Sequence, residues 1–136
     1  MGNTELLAVL LSWAVSLSGY SNPETMPEIQ YESNKFFQGQ ACNNVKKCQV
    51  VAWYNDKGII FLNEKLNRLE DPIVRSVIVH ELTHYLQDLS GKFNELSCEN
   101  HAAREREAYS IQRTYLNRIA GRFAATYPVY APCPAS

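Results

Sequence analysis

The chain predicts an α+β domain in which a small antiparallel sheet packs on two long helices. Three observations carry this. Residues 73–89 are apolar around most of a helical circumference and are bracketed by cap signals. A second stretch, from about residue 99 to 119, keeps helical periodicity with no glycine or proline inside it. Between residues 28 and 62, three short segments rich in β-formers surround a turn signal.

The elements follow in order. Leu6 to Leu17 is an apolar run of signal-peptide length, too short for a comfortable membrane span, and Ser16, Ser18, Gly19 and Ser21 supply small residues for cleavage after Ser18 or Ser21. Residues 1–21 are therefore expected to be a leader, although its start carries no lysine or arginine, and residues 22–136 the mature domain. Ser21 to Pro27 reads as a linker. Glu28-Ile29-Gln30-Tyr31-Glu32 alternates and reads as a strand, and Ser33 or Asn34 caps a short helix containing Phe36 and Phe37. Gln49 to Tyr54 and Ile59 to Leu62 are two further strands, joined by Asn55-Asp56-Lys57-Gly58, where glycine suits a positive φ. Asp71-Pro72 starts the first long helix with a capping carboxylate and a proline at its first position; Ser90-Gly91 ends it. The proline-rich tail from Pro128 to Ser136 is expected along the surface.

With 136 residues, 46% of them hydrophobic, the chain has material for one domain with a real core. A formal charge of −1 gives no electrostatic reason to expect nucleic acid as a partner. The arginines at 104, 106, 113, 118 and 122 are interleaved with Glu105 and Glu107 and read as a solvated face.

The chemistry is carried by His80-Glu81-Leu82-Thr83-His84. Two histidines four apart on a helix point the same way and can bind one metal ion, while Glu81 lies about 100° further round, within reach of a water on that metal. Zinc takes nitrogen ligands and keeps an open position in hydrolytic sites, and hydrolysis needs a base beside the water. His80 and His84 share a stripe with Ile73, Ser76, Val77 and Gln87.

A site of this type needs a third protein ligand, and the second long helix offers Glu105 and Glu107. Ala108, Tyr109, Gln112, Tyr115, Leu116 and Ile119 fall within roughly 80° of Glu105, so it is the acidic side chain on an apolar and aromatic face. Glu107 lies among Arg106, Ser110, Arg113, Thr114, Asn117 and Arg118. A carboxylate buried on such a face needs a cation or a metal, which favours Glu105, although a buried arginine would also satisfy it. Glu107 stays as the alternative.

The motif His80-Glu81-Leu82-Thr83-His84, followed by Glu105-Arg106-Glu107-Ala108 on a second helix, resembles the gluzincin metallopeptidases, particularly the small single-domain minigluzincins. The longer pattern through Tyr85-Leu86-Gln87 and from Arg104 to Gln112, with Cys42, Cys48 and Cys98, is similar to small exported bacterial zinc metallopeptidases, over about Pro27 to Leu116. The resemblance implies a zincin-like minimal metallopeptidase domain, His80, His84 and Glu105 as Zn²⁺ ligands, and Glu81 as the base. It departs at Tyr109, where several gluzincins carry an acidic residue that orients a ligand histidine.

The expected reaction is hydrolysis of peptide bonds, with a peptide or protein as substrate and partner. Tyr109 or Tyr115 is the candidate for stabilising the oxyanion, and His101, one turn before Glu105, is a candidate donor or spare ligand. Trp53, Tyr54 and Tyr85 read first as packing aromatics. The 49–54/59–62 hairpin is the candidate for aligning an extended peptide by strand addition. The alternative is a catalytically inactive zinc-binding domain or a disulfide-stabilised exported interaction module.

Four cysteines in the expected mature part fit an exported, periplasmic or secreted, bacterial protein without a stable membrane span after leader cleavage. They allow three pairings. Cys42–Cys48, closing a short polar loop, and Cys98–Cys133, tying the tail to the second helix, are preferred.

Overall fold

The computed structural model describes residues 3–40, 51–121 and Cys133. The elements are α1 (Asn3–Ser18), β1 (Glu28–Glu32), α2 (Asn34–Gln40), β2 (Ala52–Tyr54), β3 (Ile59–Asn63), a 3-10 turn (Glu64–Leu66), α3 (Pro72–Ser90), α4 (Cys98–Thr114) and a π-helical turn (Tyr115–Ile119). The expected Cys42–Cys48 bridge, the first residues of the 49–54 strand and nearly all of the tail lie outside the described residues.

The α+β class holds, but the sheet is mixed rather than antiparallel. Its order is β1-β3-β2. β2 and β3 form the expected antiparallel hairpin, with Trp53 opposite Phe61, whereas β1 runs parallel to β3, with Glu28 opposite Ile59 and Glu32 opposite Asn63. Alternation identifies a strand and its faces, but not the direction of its neighbour. The chain between β1 and β3 passes through α2 and β2, and a crossover of that length permits parallel pairing. The hairpin turn is built by Asn55, whose Oδ1 accepts from the amides of Lys57 (2.8 Å) and Ile59 (3.1 Å). Asp56 and Gly58 both take positive φ there.

One sheet face, with Tyr54, Ile60 and Leu62 buried, packs on α3; on the other, Phe61 is covered by Trp53 and Phe36. α3 has the caps its sequence announces. Asp71 accepts from the Ile73 amide at 2.9 Å, and Gly91 ends the helix at φ 75°. Residues 78–87 are buried without a break, while Ile73 and Leu89, at the two ends, are exposed. Each fully buried leucine in this helix, such as Leu82, contributes about 1.5–3 kcal/mol relative to exposure.

α4 starts one residue earlier than the periodicity suggests. Ser97 caps it by accepting from the Asn100 amide (3.0 Å), and Cys98 in its first turn is bonded to Cys133, the preferred pairing. The helix loosens into the π turn, and Gly121 stands beyond it at φ 66°.

The segment expected to be a leader forms α1, a third long helix. Leu10, Leu11 and Ala14 are buried in the same core as Val74, Ile78, Leu82 and Ile111. From α1, a strap over residues 19–27 leads back to β1. The Tyr85 hydroxyl donates to the Thr25 carbonyl at 2.8 Å and ties this strap to α3. Among the described residues, no helix is long and apolar enough to cross a membrane.

Candidate metal centre

α3 and α4 lie side by side, and the buried middle of α3 faces α4 with its two histidines. Placed one turn apart, His80 and His84 bring their Nε2 atoms to 3.2 Å. From α4, Glu105 reaches both: its Oε1 is 2.8 Å from His84 Nε2 and its Oε2 3.4 Å from His80 Nε2. These three side chains each present a donor atom within 4.8 Å of the other two, close enough to hold one metal ion. The helix-wheel choice between the two acids agrees with this geometry. Glu107 points elsewhere, accepting from Tyr20, Gln87 and Lys92.

Both imidazoles are held from behind by glutamines. His80 Nδ1 donates to Gln112 Oε1 at 3.0 Å, and Gln112 Nε2 donates onward to Ser76 Oγ at 3.2 Å. His84 Nδ1 donates to Gln87 Oε1 at 2.8 Å. The partners of Gln87 fix which end of its amide is which: its Nε2 donates to the Arg104 carbonyl and to Glu107 (both 3.0 Å), while Arg104 Nε donates to its Oε1 (3.2 Å). An imidazole with its Nδ1 proton so engaged presents Nε2 toward a ligand, the arrangement that orients histidines in metal sites. Two Nε2 atoms and a carboxylate form a donor set suited to a borderline ion such as zinc.

The electrostatics are those of a mutually dependent cluster. Burial works against the Glu105 anion, but hydrogen bonds from His80 and His84 outweigh it and hold the carboxyl well below the usual carboxylate range. Burial likewise works to lower the His84 pKa. The hydrogen bond to Glu105, reinforced by the charges of Glu81 and Glu105, carries it above 6.5 instead.

Glu81 is buried at 6% exposure, and among the described residues no hydrogen bond engages its carboxylate. Tyr109 packs edge-on against His80, with ring centroids 4.4 Å apart. Burial first, then the nearby charges of Glu105 and Glu81, raise its phenol pKa, so it stays protonated and able to donate.

Other candidates are not brought to the cluster. Tyr115 is buried in the hydrophobic core with Ile111 and Leu82, and His101 is exposed outside the three-residue group. Tyr54 and Tyr85 pack as expected, their rings 6.0 Å apart edge-to-face, and Trp53 stacks on Phe61. Because β3 is the central strand, β2 and β1 are the two edge strands of the sheet among the described residues.

The glutamines behind the histidines are what the motif does not announce. Their signal lies in the wheel: Ser76 and Gln87 are polar residues on the ligand stripe of a buried helix, and Gln112 shares the face of Glu105. Buried polar groups in such positions need partners, and the imidazoles are the partners. Compared with protein-family models, with curated proteins and with solved structures, the chain matches none.

Proposed function

We propose that this protein is a zinc-dependent peptidase of minimal size. The observation that carries the reading is the convergence of His80, His84 and Glu105 from two helices within 4.8 Å. Zinc bound by these three side chains supplies a polarising Lewis acid and lowers the pKa of water from about 15.7 to about 7. The residues present suit that ion: neutral nitrogen donors with their tautomers fixed, one anionic oxygen, and few ligands, which leaves room for water and substrate.

The chain's own groups then divide the work. Glu81 follows His80 in the helix, and among the described residues its carboxylate, whose charge acts on His84 and Tyr109, has no hydrogen-bond partner. It accepts the proton of the attacking water and passes it to the leaving amine nitrogen. Tyr109, a protonated phenol against His80, is the nearest candidate to donate to the oxygen that becomes negative. An extended peptide would add along β2, an edge strand among the described residues, whose Tyr54 is anchored to α3 through Asp88 (3.2 Å).

The experiment is incubation of the zinc-loaded chain with a mixed peptide library, beside Glu81→Gln. Cleavage is expected from the wild type and should drop about 10²–10⁴-fold in the variant, with its zinc content unchanged. Equal cleavage by both proteins, or none by a wild type carrying zinc, would overturn the peptidase reading.

A further inference from the structure

The two histidines are backed by networks of different reach. Gln112 ends on Ser76, whose hydroxyl donates to the Ile73 carbonyl (2.7 Å) within α3. Gln87 opens outward. Its amide nitrogen bonds Glu107 Oε1, and that same oxygen accepts the hydroxyl of Tyr20, which belongs to the strap between α1 and β1. Lys92 holds the other oxygen of Glu107 at 3.1 Å and also lies over the Tyr20 ring, 5.8 Å from its centroid. On the opposite side, Arg104 bonds Gln87 Oε1 while its Nη2 pairs with Asp56 in the β2–β3 turn at 2.8 Å.

A chain of hydrogen bonds thus runs from Tyr20 through Glu107 and Gln87 to His84. Every group in it is at least half-buried, so a lost partner is not simply replaced by bulk water. Glu107, an unremarkable surface acid by its position in the sequence, becomes the joint between a ligand and a segment that lies far away in the chain.

We infer that Tyr20 is a positioning residue for His84, acting through Glu107 and Gln87, so that docking of the 19–27 strap tightens the metal site. This rests on reading the cluster as a metal centre. The strap's own anchor at Thr25 and Tyr85 keeps Tyr20 in register with Glu107. Of the two cleavage points the sequence offers, the one after Ser18 retains Tyr20 and the one after Ser21 removes it.

The test uses the full chain with Tyr20→Phe, Glu107→Gln, their double variant and Gln87→Leu. Two quantities are measured: the Nδ1–H proton signal of each histidine, with its exchange with solvent, in metal-free protein, and zinc affinity by chelator competition. Gln87→Leu should weaken zinc about 10–100-fold, and Tyr20→Phe and Glu107→Gln each about two- to tenfold, with the double variant no worse than the stronger single. The His84 Nδ1–H signal should shift and exchange faster in these variants, while that of His80 keeps its own position and rate. Unchanged His84 signals in Tyr20→Phe would overturn the inference, whatever happens to stability. If the wild type takes up no zinc yet His84 still responds to Tyr20→Phe, the metal reading fails and the positioning role stands.

Discussion

Glu105 Oε1 lies 2.8 Å from His84 Nε2, a contact between the middle of α3 and the first half of α4 that makes the protonation of each side chain depend on the other. The Glu105 carboxyl is held below its ordinary value of 4.5, and the His84 imidazole is held above 6.5. Without metal, the acid therefore contributes stability that is present above about 4.5 and lost as the pH falls through its folded value. The imidazole contributes stability that is present below 6.5 and lost as the pH rises through its own raised value. Metal-free protein should gain most over Glu105→Gln between these limits, read by urea denaturation across pH. Zinc reverses the alkaline limb, because it needs the neutral imidazole: affinity should climb with pH past 6.5. A zinc affinity independent of pH would contradict the ligand assignment.

Ligand substitutions separate the two acids of α4. His80→Ala, His84→Ala and Glu105→Ala should each strip zinc from purified protein, whereas Glu107→Ala should retain about one ion per chain with weakened affinity. Elemental analysis after dialysis decides it. Zinc that survives Glu105→Ala would remove Glu105 from the ligand set.

Leu10 in α1 is 1% exposed, within the core formed by α3 and α4. Leu10→Ala should cost about 2–5 kcal/mol in chemical denaturation of the full chain, the range for a leucine truncated in a packed interior. An effect near zero would mean that α1 adds nothing to the folded state in solution.

The Cys98–Cys133 bridge spans 35 residues. Loop-closure entropy assigns such a cross-link about 3–4 kcal/mol, and replacing both cysteines with alanine should lower stability by up to that amount. Because Cys98 opens α4, hydrogen exchange should rise first at its N-terminal turn. Protection there equal to the wild type would show that Ser97 capping alone holds the helix start.

Much of this architecture was legible from short-range chemistry. Asp71-Pro72 and Ser90-Gly91 mark the ends of α3 because caps and left-handed termini are local requirements of a helix. The four-residue spacing of His80 and His84 is equally local, as is the position of Glu105 on a face it shares with Ala108 and Gln112. A helix repeats every 3.6 residues wherever it lies. β1 was identified to the residue by alternation for the same reason.

What the sequence by itself determined, then, was which side chains share a face; what only the tertiary structure decided was which faces meet. No local rule says that β1 lies parallel to β3, that α1 enters the core beside Ile78, or that the amide of Gln112 ends on the His80 imidazole and that of Gln87 on Arg104 and Glu107. Those contacts join residues far apart in the chain and form only because burying the apolar faces of α1, α3, α4 and the sheet together removes more surface from water than any element can alone. Once buried, the polar groups on those faces had to find partners, and the linked hydrogen bonds around His84 are the result.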